Sequence, residues 1–112
     1  MEIWHNPRCS KSRETLALIN ENNKEITVRE YLKDTPSESE IRSIISKLDI
    51  SPSKLIRKGE AIYKEEFKGR DLSDDEWIQA MVSYPKLIER PIVIKDNQAI
   101  IGRPPSLVLD LI

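Results

Sequence analysis

A chain of 112 residues, 38% apolar and 33% charged, is long enough for one modest core and excludes a disordered or membrane-embedded protein. With 18 basic against 19 acidic side chains the net charge is −1, which excludes a global pull toward nucleic acid or anionic lipid, so any anion site must be built locally. One cysteine excludes an internal disulfide, and one cysteine with one histidine excludes a closed zinc site made of those ligand types alone, so no metal is expected.

No run approaches the roughly 18 apolar residues of a membrane span. The opening Met1-Glu2-Ile3-Trp4-His5 lacks the layout of a secretory signal. A cytoplasmic protein with a reduced thiol is expected, with no membrane and no nucleic-acid partner.

The elements follow in chain order. Residues 2–5 read as a strand that ends at Asn6-Pro7. A helical pattern runs over about 10–22, with Leu16 and Ile19 flanked by Thr15 and Leu18. Ile26-Thr27-Val28-Arg29-Glu30-Tyr31 alternates and is rich in β-branched residues, which predicts a second strand. Strand, helix and strand in so short a span form a crossover unit, so the two strands should be parallel.

The middle of the chain changes character. Ser37 and Glu40 form a capping box ahead of Ile41, Ile44, Ile45 and Leu48, an amphipathic helical stripe. Ser51-Pro52 starts another helix, with Leu55 and Ile56 as its apolar residues. A second capping box, Ser73 with Glu76, precedes Trp77, Ile78, Met81 and Val82, and Tyr84-Pro85 stops that helix. Residues 37–88 thus read as a helical insertion without strands, inside a single domain spanning 1–112. The charged positions Glu38, Glu40, Arg42 and Lys47 and the run 64–70 read as solvated faces, and Trp77 as core.

Strand signals return at Ile92-Val93-Ile94, turn at Asp96-Asn97 and pair back at Ala99-Ile100-Ile101. Gly102-Arg103-Pro104-Pro105 leads into a final helix carrying Leu107, Val108, Leu109 and Leu111. The order β-α-β, helices, β-β-α is that of an α/β domain.

Cys9 follows a strand and precedes a helix, so its sulfur lies where unpaired backbone N–H groups favour a thiolate. Arg8, Lys11 and Arg13 add local positive charge, which predicts a lowered thiol pKa. A lone cytosolic cysteine is more commonly a small buried apolar residue. The polar context Asn-Pro-Arg-Cys-Ser-Lys-Ser argues against burial here. His5, four residues earlier, either supports the thiolate or is a strand-end histidine satisfied by backbone, and spacing leaves both open. Arg57, Arg90 and Arg103, taken singly, read as surface charges. Arg90-Pro91 opens the third strand, and an X-Pro bond there is a candidate for cis.

Two familiar cysteine chemistries fail on spacing. A phosphatase-type loop needs Arg six positions after the cysteine, and Thr15 stands there. A dithiol centre needs Cys-x-x-Cys, and Ser12 stands at the second position, so turnover through a disulfide needs an external thiol.

The stretch His5-Asn6-Pro7-Arg8-Cys9-Ser10-Lys11-Ser12-Arg13 resembles the glutaredoxin-coupled arsenate reductase family of the ArsC type, in particular its short YfgD-like branch. The likeness continues through Tyr31-Leu32, Leu55-Ile56-Arg57-Lys58, Tyr63-Lys64-Glu65, Leu87-Ile88-Glu89-Arg90-Pro91-Ile92-Val93 and Ile101-Gly102-Arg103-Pro104-Pro105. It implies a thioredoxin-like fold, with a mixed four-stranded sheet and an inserted helical segment. It further implies that Cys9 attacks arsenate to give a thioarsenate ester, that Arg57, Arg90 and Arg103 bind the oxyanion, that His5 stands near the nucleophile, and that Pro91 is cis. Ser12 is a structural neighbour of the site. Glutathione would be the co-substrate, glutaredoxin the recycling partner, and no cofactor would be bound.

Two alternatives compete. An Spx-like regulator that binds RNA polymerase shares the fold but usually carries a Cys-x-x-Cys switch, which Ser12 disfavours. A general glutathione-linked thiol reductase would use the same cysteine on mixed disulfides.

Overall fold

The computed structural model describes residues 1–112, and the chain divides into two compact units. One unit joins Met1–Asp34 to Arg90–Ile112, and the other is Thr35–Glu89. No helix is long and apolar enough to cross a membrane.

The first unit holds strands β1 (Glu2–Trp4), β2 (Thr27–Arg29), β3 (Ile92–Lys95) and β4 (Gln98–Ile101), with helix α1 (Ser10–Glu21) between β1 and β2. The sheet order is β2-β1-β3-β4. β1 and β2 are parallel, as a helix crossover requires, while β1 with β3 and β3 with β4 are antiparallel. This mixed sheet with its β-α-β and β-β halves is a thioredoxin-like fold.

The core lies where β1 and β3 meet. Ile3 pairs with Val93 in register, and both are fully buried. Ile19 of α1 and Val108 and Leu111 of the C-terminal segment complete the cluster. Each such side chain, fully buried, stabilises by roughly 1.5–3 kcal/mol. β1 is therefore anchored by apolar packing, and the residues just after it, His5 to Cys9, are held in place from behind.

The final helix expected after Pro104 is instead a 3-10 segment, Pro105–Asp110. The buried residues there are Pro105, Val108 and Leu111, with 106, 107, 109 and 110 exposed. That is a period of three, which a 3-10 turn satisfies and an α-helix does not. Leu107 and Leu109, expected among its apolar residues, face outward.

The second unit contains α2 (Glu38–Leu48) and α3 (Asp74–Ser83). Both start with complete capping boxes, Ser37 with Glu40 and Ser73 with Glu76. The segment begun by Pro52 is a 3-10 turn ending at Leu55. The unit is not free of strand pairing, since Ile56 and Ile88 form an isolated antiparallel bridge. Arg57 N–H donates to Leu87 O at 2.7 Å and Glu89 N–H to Leu55 O at 2.8 Å around it. Nor is the run 64–70 wholly a solvated face. A π-type turn over Tyr63–Phe67 carries Phe67 inward, where its ring packs 5.9 Å from both Trp77 and Tyr84.

Candidate active site

The site starts at the end of β1. His5 N–H donates to Arg29 O at 2.8 Å, which continues the parallel pairing one residue past the strand. The chain then turns sharply: Cys9 N–H donates to Asn6 O at 3.0 Å, and Arg8 N–H to the Asn6 side-chain oxygen at 3.0 Å. Asparagine before proline suits such a turn, because its side chain bonds the backbone two residues on. Arg13 Nη1 closes the loop from the helix by donating to Pro7 O at 2.9 Å.

Cys9 is the residue that caps α1, with an extended backbone. Its sulfur faces the amides of Lys11 and Ser12, two of the free N–H groups in the first turn of the helix. Neither closes a formed cap hydrogen bond, so both act as oriented dipoles.

Two arginines reach the sulfur from the other end of the chain. Arg103 Nη2 donates to Cys9 Sγ at 3.6 Å. Arg103 is itself oriented by Nε, which donates to Arg90 O at 2.8 Å. The Arg90 guanidinium also acts on the sulfur, stabilising its charged form as donor and as positive charge. Burial alone pushes the Cys9 thiol up, but the Ser12 amide, the Arg90 guanidinium and the Lys11 amide outweigh it and hold the pKa below the ordinary thiol value.

The expectation that the polar loop leaves Cys9 open is not met: the residue is only 8% exposed. The covering atoms include the guanidinium of Arg103, which lies 94 positions away. Local polarity at 5–13 carries no trace of that cover. Burial here does not make the cysteine inert, because cationic side chains lie against the sulfur.

His5 is buried, and its Nδ1 lies 2.6 Å from Ser12 Oγ. Its Nδ1 partner is thus a helix side chain rather than the backbone. Burial depresses its pKa, Glu30 raises it in part, and Arg13 lowers it further, a balance that favours the uncharged ring.

Arg90–Pro91 is cis, and so is Arg103–Pro104, which the sequence reading did not single out. Between these loops Gly102 is wedged. Its N–H donates to Pro91 O at 2.9 Å. A Cβ at this position would lie 2.6 Å from Thr15 Oγ1 and 2.9 Å from Pro91 Cγ. Only glycine lets the Arg103 loop approach α1 so closely. Its isolation between a strand and Arg103-Pro104 was the available signal.

Of the sequence-derived candidates, Cys9, His5, Ser12, Arg90, Pro91 and Arg103 thus belong to the first unit and are linked there through these contacts. Arg57 belongs to the second, where Nη1 donates to Glu89 Oε1 at 2.7 Å and Nε lies 3.4 Å from a Glu60 carboxylate oxygen. No group of three or more His, Cys, Asp or Glu side chains is arranged to hold a metal ion.

A thioredoxin-like fold whose one thiol sits at the N-terminus of the crossover helix under two arginines defines a protein built around a single activated cysteine. The ArsC family model matches residues 4–111, and the chain belongs to the ArsC family. YfgD of Escherichia coli, itself uncharacterized, is 45% identical over 114 residues, spanning 100% of this chain and 96% of YfgD. An arsenate reductase of Haemophilus influenzae is 42% identical over 112 residues, with 98% and 97% of the two chains covered. Among solved structures, an arsenate reductase from Vibrio cholerae superposes with a TM-score of 0.94 at 44% identity, covering 100% of this chain and 98% of that one.

Proposed function

We propose that this protein reduces arsenate to arsenite, with Cys9 as nucleophile and glutathione as the second thiol. The observation that carries the reading is the Cys9 sulfur held below its ordinary pKa under Arg90 and Arg103. The named relatives support arsenate as the oxyanion.

In the proposed reaction the Cys9 thiolate attacks arsenic(V) of arsenate, an S–As bond forms, and one oxygen leaves as water after protonation. Arg90 and Arg103 offer planar donor forks to the remaining oxygens, and the α1 N-terminus adds its dipole. Arg57 enters the proposal on family resemblance. A glutathione thiolate then attacks the Cys9 sulfur of the adduct. The S–As bond breaks, its electron pair stays on arsenic, and arsenite leaves as arsenic(III). The two sulfurs, oxidised together, are left as a Cys9–glutathione mixed disulfide. Glutaredoxin with a second glutathione reduces that disulfide and restores Cys9. The chain has a single cysteine, which suits an external resolving thiol.

The test is arsenate-dependent NADPH oxidation with glutathione, glutaredoxin and glutathione reductase present, read together with arsenite production. Arsenite formed by the wild type and lost in Cys9→Ser supports the reading. Folded protein that forms no arsenite overturns it.

A further inference from the structure

Three groups meet at one buried oxygen. Ser12 is fully buried, its Oγ lies 2.6 Å from His5 Nδ1, and it accepts the Asn6 backbone N–H at 3.0 Å. The Asn6 amide occupies one lone pair, and the hydroxyl still has its own proton to place. A helical serine commonly gives that proton to the carbonyl four residues back. Thr15 does so, donating to Lys11 O at 2.8 Å, but Ser12 forms no such bond. The acceptor left within reach of Ser12 is His5 Nδ1.

We propose that Ser12 is a positioning residue that fixes the His5 tautomer: its hydroxyl donates to Nδ1, so the single ring proton sits on Nε2. His5 is thereby a neutral, fixed hydrogen-bond donor beside the Cys9 loop. The opposite tautomer aims two N–H donors at one oxygen and leaves the serine proton without an acceptor in the interior. The cost of an unmet buried donor disfavours that arrangement. The same residue presents its backbone N–H to the Cys9 sulfur, so one side chain ties the histidine to the thiolate-binding turn. The functional meaning rests on the proposed oxyanion chemistry, since a protonated Nε2 donates to an oxyanion and a bare one does not.

The chain's single histidine makes the test direct. Long-range 1H–15N correlation spectra of uniformly 15N-labelled protein at neutral pH report one imidazole. The expected result is Nδ1 at an unprotonated, pyridine-type shift and Nε2 at a protonated, pyrrole-type shift. In Ser12→Ala the two shifts should move toward each other as the preference relaxes. A wild-type spectrum with Nδ1 protonated, or ring shifts unmoved in folded Ser12→Ala, overturns the proposal. If Ser12→Ala does not fold, the wild-type ring alone decides. The readout uses no arsenate, so its failure and that of the reductase reading are distinguishable.

Discussion

Arg103 Nη2 stands 3.6 Å from the Cys9 sulfur across 94 residues of sequence, and the Nε of the same guanidinium holds the Arg90 carbonyl at 2.8 Å. The contact joins the two ends of the chain and, with the Arg90 guanidinium that holds the thiol pKa down, makes the setting of Cys9 a property of tertiary structure as much as of the loop that carries it. It also gives Arg103 two tasks at once, donor to the sulfur and brace for the Arg90 loop.

Arg103→Lys should therefore be far from conservative. Lysine retains the charge but not the fork that reaches sulfur and carbonyl together. Arsenate kcat/KM is expected to fall about a hundred-fold, the scale of losing one donor to developing oxyanion charge. Steady-state kinetics on a variant with unchanged circular dichroism checks this.

The thiol itself gives a pH prediction. The folded pKa of Cys9 lies below the ordinary value, so folding favours the thiolate. The corresponding stability is fully present above the unfolded pKa, and it is lost as pH falls through the folded one. Iodoacetamide alkylation should titrate with a midpoint below that of a free cysteine, and Arg90→Gln should move the midpoint up. The stability of wild type relative to Cys9→Ser, from urea unfolding, should increase as pH rises through the same window.

Gly102→Ala should cost about 1–3 kcal/mol, because its Cβ meets Thr15 Oγ1 at 2.6 Å, Pro91 Cγ at 2.9 Å and Thr15 Cγ2 at 3.1 Å. Adding Thr15→Ala removes two of those three atoms. The double variant should recover part of the loss, and denaturant melts on the double-mutant cycle read the coupling.

In the second unit, Ser73→Ala breaks a complete capping box at the start of α3. A loss of about 1 kcal/mol in unfolding free energy is expected, with Cys9 alkylation unchanged. A changed alkylation rate would show that α3 bears on the site.

Much of this was legible beforehand for physical reasons. The crossover β1-α1-β2, both capping boxes and the β3-β4 hairpin rest on local signals: periodicity, caps and β-branched runs. Cys9 was legible because a strand-loop-helix junction activates a thiol by itself. The burial of Cys9 was not, since part of what meets its sulfur, Arg103, arrives from the far end of the chain. The buried stripe of α1 includes Thr15, which flanked the apolar pattern, and Ser12, a polar residue that an apolar-periodicity reading passes over. They face inward because one bonds His5 and the other abuts Gly102. The C-terminal segment carried enough apolar residues for an α-helix, but the spacing of Pro105, Val108 and Leu111 belongs to a tighter turn.

Arsenate reduction through a Cys9 adduct resolved by glutathione is tested most directly by intact-mass spectrometry of the protein after a single turnover with arsenate and glutathione, glutaredoxin being left out. A glutathione adduct on Cys9 that forms only when arsenate is present, and is absent from Cys9→Ser, is the expected result. No adduct, or one that forms equally without arsenate, contradicts it.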